Sequence, residues 1–163
     1  MQRKHPRIDA PSGPRRGRNL RHFAGILWAS PLTLFGLLLA LPILCARGSL
    51  TAVPPLALAG TVGGRTAAPA LLVRGRLGDF LLTRHPFGAM HAMAIGHIVI
   101  ANRSATSRRL LVHELTHVAQ AARWGLLFPL AYLAASARAY WRGGDLYWDN
   151  VFEIAAREAE QHA

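Results

Sequence analysis

The sequence contains a single cysteine, Cys45, so no disulfide can form within the chain and cysteine usage does not indicate a redox compartment. Acidic residues are scarce as well: eight Asp and Glu stand against 19 Lys and Arg, which gives a formal net charge of +11. Only 17% of the residues are charged and 52% are hydrophobic, which favours a membrane segment. A chain of 163 residues has room for one domain and little more.

The positive charge is concentrated near the start of the chain and does not form a patch suited to nucleic acid. Seven of the 19 basic residues precede residue 23, and the others are scattered singly or in pairs. This asymmetry is typical of a membrane topology signal, in which the basic segment stays in the cytoplasm. We therefore expect no nucleic-acid partner, although clustered basic residues would ordinarily indicate one.

The longest stretch without a charged residue extends from residue 23 to residue 46. At about 1.5 Å per residue it can cross a hydrocarbon core, so we predict a transmembrane helix over 23–46 and a disordered basic tail over 1–22. The stretch exceeds the apolar core of a signal peptide, and Leu44 before Cys45 disfavours a lipoprotein signal. The charge asymmetry predicts a single-pass protein of a bacterial-type cytoplasmic membrane, with its amino terminus in the cytoplasm and the following domain outside.

The remainder of the chain is predicted to be an α+β domain over 69–163, joined to the membrane helix by a connector over 47–68. Apolar runs at 70–74, 79–84 and 96–101 predict a small antiparallel sheet. The first two runs flank a Gly-Arg-Leu-Gly loop, which is typical of a hairpin. The third run is rich in β-branched residues and is expected to form the edge of a substrate cleft.

Helical patterns dominate after residue 103. The first predicted helix has possible capping residues at Ser104, Thr106 and Ser107, and an apolar stripe at Leu111, Leu115, Val118 and Ala122. Gly125 stands where such a helix would end. The apolar stretch 125–141 is interpreted as a core helix or one lying at a membrane interface. An amphipathic, acidic helix is predicted from Asn150 to about Glu160.

The string His113-Glu114-Leu115-Thr116-His117 is an HExxH pattern on the first of these helices. Residues i and i+4 share a helix face, so the two imidazoles can bind one Zn²⁺ ion. Glu114 lies one position round the helix, where it can act as the base that takes a proton from a metal-activated water. Glu114 is the only acidic residue between Asp79 and Asp145.

A catalytic zinc site needs a third protein ligand and leaves a fourth position open. The chain has no histidine between His117 and His162, which disfavours the histidine-based spacing of metzincins. The third ligand is therefore expected to be a carboxylate, and we predict Glu153, in the first turn of the last helix. Glu158 is the alternative ligand.

Several residues at or near the predicted site can also be explained by structure alone. Glu153 would be favoured at a helix start even without a metal and can pair with Arg157. Asp149 or Asn150 is expected either to cap the helix or to hold an imidazole N–H. His97, alone on its strand, is expected to be a packing or surface residue.

The strings HELTHVAQ and DNVFEIAAREAE resemble gluzincin-type peptidases, such as the CAAX-protease-like membrane enzymes, in which HExxH precedes a helix bearing ExxAD. They also resemble short zincin-like proteins with HELTHV-Q helices. The resemblance covers roughly residues 94–160 and implies a helical zincin-like core with bound zinc. The roles it implies are metal ligand for His113, His117 and Glu153, and catalytic base for Glu114. Arg157 departs from the pattern, because it stands where ExxAD has its aspartate.

The sequence thus predicts a zinc metallopeptidase that hydrolyses peptide bonds, with a protein or peptide substrate that can itself be membrane-bound. The alternative is an inactive metal-binding or interaction module of the same fold.

Overall fold

The computed structural model describes residues 24–54, 69–84, 88–105 and 107–163. The tail predicted over 1–22 and most of the predicted connector, as well as the candidate cap Thr106, lie outside these residues. The described helices are α1 (Ser30–Cys45), α2 (Arg76–Thr83), α3 (Arg108–Trp124), α4 (Phe128–Trp141) and α5 (Val151–Gln161), with a 3-10 turn at Gly125–Leu127. The strands are β1 (Ser49–Val53), β2 (Ala70–Arg74), β3 (Ala92–Ile95) and β4 (Ile98–Ala101). The α+β class is confirmed.

The four strands form one mixed sheet in the order β1-β2-β4-β3. The pairs β1–β2 and β3–β4 are antiparallel, but β2 and β4 are parallel. The predicted purely antiparallel sheet is therefore wrong. A parallel pair needs a crossover connection, and α2 lies in it, so the run 79–84 belongs to a helix and not to the second strand of a hairpin. A short apolar run fits either structure, and here Leu82 is buried as part of a helix.

The run 96–101 was also predicted as the cleft edge, and this too is corrected. Its strand, β4, is central and wholly buried, and β3 is the edge strand beside α3. A two-residue turn, Gly96-His97, joins β3 and β4. Gly96 has φ +59°, and a Cβ on it would lie 2.5 Å from the Thr33 nitrogen of α1. The glycine therefore permits both the turn and the close approach of α1.

Helix α1 lies against the sheet and is shorter than predicted. It covers 16 residues, preceded by a helical segment at 24–28, and it buries Leu32, Gly36, Ala40 and Ile43. Within the described ranges, no helix has both the length and the apolar character needed to span a membrane.

Helix α3 packs in the main core, and it begins and ends where the sequence predicted. It begins after Ser107 and ends at Gly125. Gly125 has a φ of +56°, a conformation that favours glycine and that ends the helix as predicted. Leu115 and Val118 are fully buried and belong to the same core as Val99 of β4. Helix α5 packs along α3, which brings the two predicted halves of the site together.

Candidate metal centre

The structure brings together three side chains from α3 and α5 at one buried point. His113 Nε2 lies 3.3 Å from Glu153 Oε2, and His117 Nε2 lies 3.3 Å from Glu153 Oε1. The two histidine Nε2 atoms are themselves 3.3 Å apart. All three residues are less than one tenth exposed. These side chains offer one ligand atom each within a space that can hold a metal ion.

Glu153 reaches this point because α5 begins at a fixed place. Asn150 caps the helix, its side-chain oxygen accepting from the Phe152 N–H at 2.9 Å. The same side chain is fully buried and donates to the Tyr132 carbonyl and the Ser136 hydroxyl on α4. The cap therefore ties the start of α5 to α4 and puts Glu153 in the first turn, as the sequence predicted.

The outer nitrogen of His117 faces a residue that determines its protonation. Gln120 Nε2 donates to the Phe152 carbonyl at 3.0 Å, which orients the amide so that Gln120 Oε1 faces His117 Nδ1 at 2.8 Å. An amide oxygen is only an acceptor, so Nδ1 must carry the hydrogen. In the neutral ring, His117 Nε2 is then an unprotonated lone pair directed at the centre of the site.

His113 is held in a similar way by a carboxylate near the end of α5. Its Nδ1 lies 3.4 Å from Glu160 Oε2, and the Glu160 side chain is about one third exposed. A carboxylate partner favours hydrogen on Nδ1 and leaves His113 Nε2 as an electron-pair donor. Gln120 and Glu160 therefore face the outer nitrogens of the two rings, and Asn150, which was expected either to cap the helix or to hold an imidazole N–H, is the cap.

Three electron-pair donors thus converge, an arrangement that is unfavourable without a cation. Tyr132 donates to Glu153 Oε1 at 2.8 Å, but no donor among the described residues makes a well-aligned hydrogen bond to Glu153 Oε2. Burial lowers the pKa of His117, yet the hydrogen bond and negative charge of Glu153 outweigh it and raise the net pKa. Burial raises the pKa of Glu153, but the two imidazoles more than reverse this, because a proton on either Nε2 is shared with the ionised carboxylate. The cluster holds a negative charge that attracts a proton or a metal ion.

The donor set itself fits a transition metal. Two imidazole nitrogens and one carboxylate are one of the three-ligand sets of catalytic zinc, whereas calcium and magnesium prefer oxygen ligands alone. The three residues can therefore hold a transition metal, and zinc as its identity stays a prediction.

Glu114 is buried on α3, one position from His113. Burial raises its pKa, opposed by the charges of His117 and His113 and by a hydrogen bond from the backbone of Ala94. Ala94 lies in the edge strand β3, so this contact places the carboxylate between the sheet edge and the two imidazoles. A carboxylate with a raised pKa accepts and releases protons more readily near neutral pH.

Two tyrosines beside Glu153 were missed in the sequence analysis. Tyr132 lies on α4 and donates to Glu153, and Tyr147 lies in the loop before α5, close enough for the Glu153 charge to raise its pKa. Burial and the Glu153 charge raise the pKa of both hydroxyls, so both remain neutral donors. Tyr132 gave no local signal, because only the packing of α4 on α5 brings it close to Glu153, whereas Tyr147 is placed by the loop that leads into α5.

Comparison with known proteins identifies no relative. No protein-family model, no curated protein and no solved structure matches the chain. The gluzincin resemblance therefore stays a prediction, and the functional argument depends on the geometry of the site.

The other candidates lie outside the cluster of three. The group that can hold a metal contains Glu153 and does not include Glu158. Asp149 accepts a hydrogen bond from the Asp145 N–H, and Arg157 donates to the Trp148 carbonyl and lies over the Trp148 ring. His97 is buried, and its Nδ1 is 3.0 Å from the Pro69 carbonyl, so it is a packing residue.

The contact of Glu160 with His113 leads to a prediction for metal affinity. Glu160→Gln keeps the shape of the side chain but removes the charge that favours hydrogen on His113 Nδ1. We expect zinc affinity to fall about 10- to 100-fold, the range for loss of a partner to a ligating histidine. Competition with a chromophoric chelator measures the change. Glu158→Gln on the same helix is the matched control, and an equal loss in both variants would contradict the role of Glu160.

Proposed function

We propose that the chain is a zinc-dependent metallopeptidase, with His113, His117 and Glu153 as metal ligands and Glu114 as the catalytic base. The observation that carries this proposal is the convergence of the two histidine Nε2 atoms and the Glu153 carboxylate at 3.3 Å, with both outer ring nitrogens facing acceptors. Such a set of lone pairs in a buried place is costly unless a cation binds there.

The chain's own residues supply the proton transfers of peptide hydrolysis. A zinc ion bound at the site supplies Lewis-acid chemistry, which polarises the peptide carbonyl and makes a water more acidic. Glu114 takes the proton that the water loses as its oxygen bonds to the carbonyl carbon. As the C–N bond breaks, Glu114 returns this proton to the departing amine nitrogen. The buried position of Glu114, which raises its pKa, suits both steps.

The edge strand β3 supports a polypeptide substrate. Among the described residues it pairs with β4 alone, and it lies against α3 on the side of Glu114. An extended peptide can add to such an edge through backbone hydrogen bonds, which orients a peptide bond along the site. This replaces β4, which the sequence analysis had assigned to the cleft edge.

The alternative is a metal-binding or interaction module without catalysis, and one observation favours it. Arg157, at the position of the ExxAD aspartate, contacts Trp148 and not a histidine. Glu160 offsets this departure, because it places a carboxylate beside His113 from one further helical turn along α5. We therefore rank the peptidase first.

A direct test is hydrolysis of a fluorescence-quenched peptide library by the purified full chain. We expect cleavage that a chelator abolishes and that stoichiometric Zn²⁺ restores. His113→Ala should give no cleavage under either condition. Zinc binding with no cleavage of any library member would favour the interaction module.

A further inference from the structure

Helix α1 is apolar on all sides, but the sheet covers only one of its faces. Its buried residues recur about every fourth position, whereas large exposed side chains lie on the opposite face at the same spacing. The exposed residues are Leu34 (62% exposed), Phe35, Leu38 (66%) and Leu41, continued by Leu27 and Trp28 in the preceding segment. A helix that is apolar on all sides but covered on only one usually contacts another apolar surface, such as a partner protein or a membrane, through its uncovered side.

Helix α4 shows the same division. One face packs toward the metal centre, where Tyr132 donates to Glu153 and Ser136 accepts from Asn150. The other face, together with the 3-10 turn, exposes Leu126, Leu127, Leu130 (65% exposed), Leu133, Tyr140 and Trp141. Only Ala139 of this helix is buried.

The two exposed faces meet where Trp28 lies on Gly125. A Cβ added to Gly125 would overlap the Trp28 indole, so the ring rests directly on the glycine that ends α3. Leu126 and Leu127 follow this contact, and Leu27 precedes it. We call the combined set, the exposed residues of 27–41 and of 126–141 named above, the apolar surface.

Charge around the apolar surface indicates what covers it. Neither α1 nor α4 contains an acidic residue. Exposed arginines instead lie close to exposed aromatic residues in the sequence: Arg123 precedes Trp124, and Arg138 and Arg142 flank Tyr140 and Trp141. Aromatic side chains next to basic ones are typical of helices that lie at the headgroup level of a membrane. A second copy of the chain would bring the same positive charges together, which disfavours a dimer through this face.

We propose that the apolar surface docks onto an anionic lipid bilayer. The leucine and phenylalanine side chains enter the acyl boundary, and the arginines bind the lipid phosphates. One side of α4 belongs to the apolar surface and its other side contacts Glu153 through Tyr132, so the metal centre lies about one helix diameter, roughly 10 Å, from the membrane. The consequence for substrate depends on the proposed peptidase function: polypeptides held at the membrane surface are the substrates such a site reaches.

Vesicle sedimentation with the full chain tests this docking without any assay of catalysis. We expect the chain to bind vesicles of phosphatidylcholine mixed with phosphatidylglycerol, and to bind phosphatidylcholine alone more weakly. Leu130→Ser should weaken binding about tenfold, since one fully buried leucine side chain is lost from the lipid contact. The matched control is Leu50→Ser, at an exposed leucine of β1.

The outcomes separate docking from the other proposals. Equal losses from Leu130→Ser and Leu50→Ser, or no binding to either vesicle, would overturn the lipid partner. So would a dimer in sedimentation velocity that Leu130→Ser dissociates. Glu114→Gln should bind vesicles as the wild type does, so loss of hydrolysis and loss of docking are distinguishable.

Discussion

Glu114→Gln is expected to abolish measurable peptide hydrolysis while leaving bound zinc unchanged. Gln keeps the size of the side chain and can still accept the hydrogen bond from Ala94, but it cannot take a proton from water. Loss of a general base costs roughly 10²- to 10⁴-fold in kcat. Because Glu114 is not among the three convergent side chains, the metal content should be that of the wild type.

The measurement is kcat on the best library peptide, with zinc determined on the same samples. Glu158→Gln is the matched control, since it makes the same chemical change in a half-buried glutamate of α5. Activity of Glu114→Gln equal to that of the wild type would contradict the role of base and favour the interaction module.

Glu153→Gln should produce the largest loss of zinc affinity of any conservative change. The two imidazole ligands are neutral, so Glu153 supplies the only negative charge among the three ligands. A glutamine amide is also neutral, although Tyr132 can still donate to the amide oxygen. We expect the affinity to fall by more than about 100-fold, beyond the range expected for a residue that only supports a ligand. Zinc at about 100 times its Kd should stabilise the wild type by about 2.7 kcal/mol and the variant far less.

Chelator competition and the zinc-dependent change in Tm measure this effect. The expected order of affinity is wild type, then Glu160→Gln, then Glu153→Gln. A full loss of binding in Glu158→Gln with retention in Glu153→Gln would instead identify Glu158, the alternative from the sequence, as the ligand.

Local signals determined which parts of the fold were predictable. The end of α3 and the start of α5 followed from Gly125 and Asn150, because caps act within a few residues. The start of α3 was predicted only to within Ser104–Ser107, and the Ser107 side chain makes no capping hydrogen bond. The secondary structure of the run 79–84 could not be predicted in this way, because a short apolar run fits either a strand or a helix. The crossover from β2 to β4 decides for the helix. Strand β3 was missed because its four residues carry no alternation strong enough to distinguish it from a loop.

The same distinction applies to the site. The three side chains that converge were all predicted, because HExxH is a local helical pattern and Glu153 is fixed by its position in a capped helix. Gln120 lies one turn beyond His117, and Glu160 lies two turns beyond Glu153, so helical spacing alone could have indicated both. Tyr132 could not be found this way, since its contact depends on how α4 packs against α5. The predicted membrane orientation, with the domain outside, stays a prediction.

The central claim is that His113, His117 and Glu153 hold one zinc ion, and multi-element metal analysis of the purified full chain tests it most directly. We predict one zinc per chain in the wild type and none in His113→Ala, with both proteins folded by circular dichroism. A folded wild type without stoichiometric metal, or one that retains iron in place of zinc, would contradict the account.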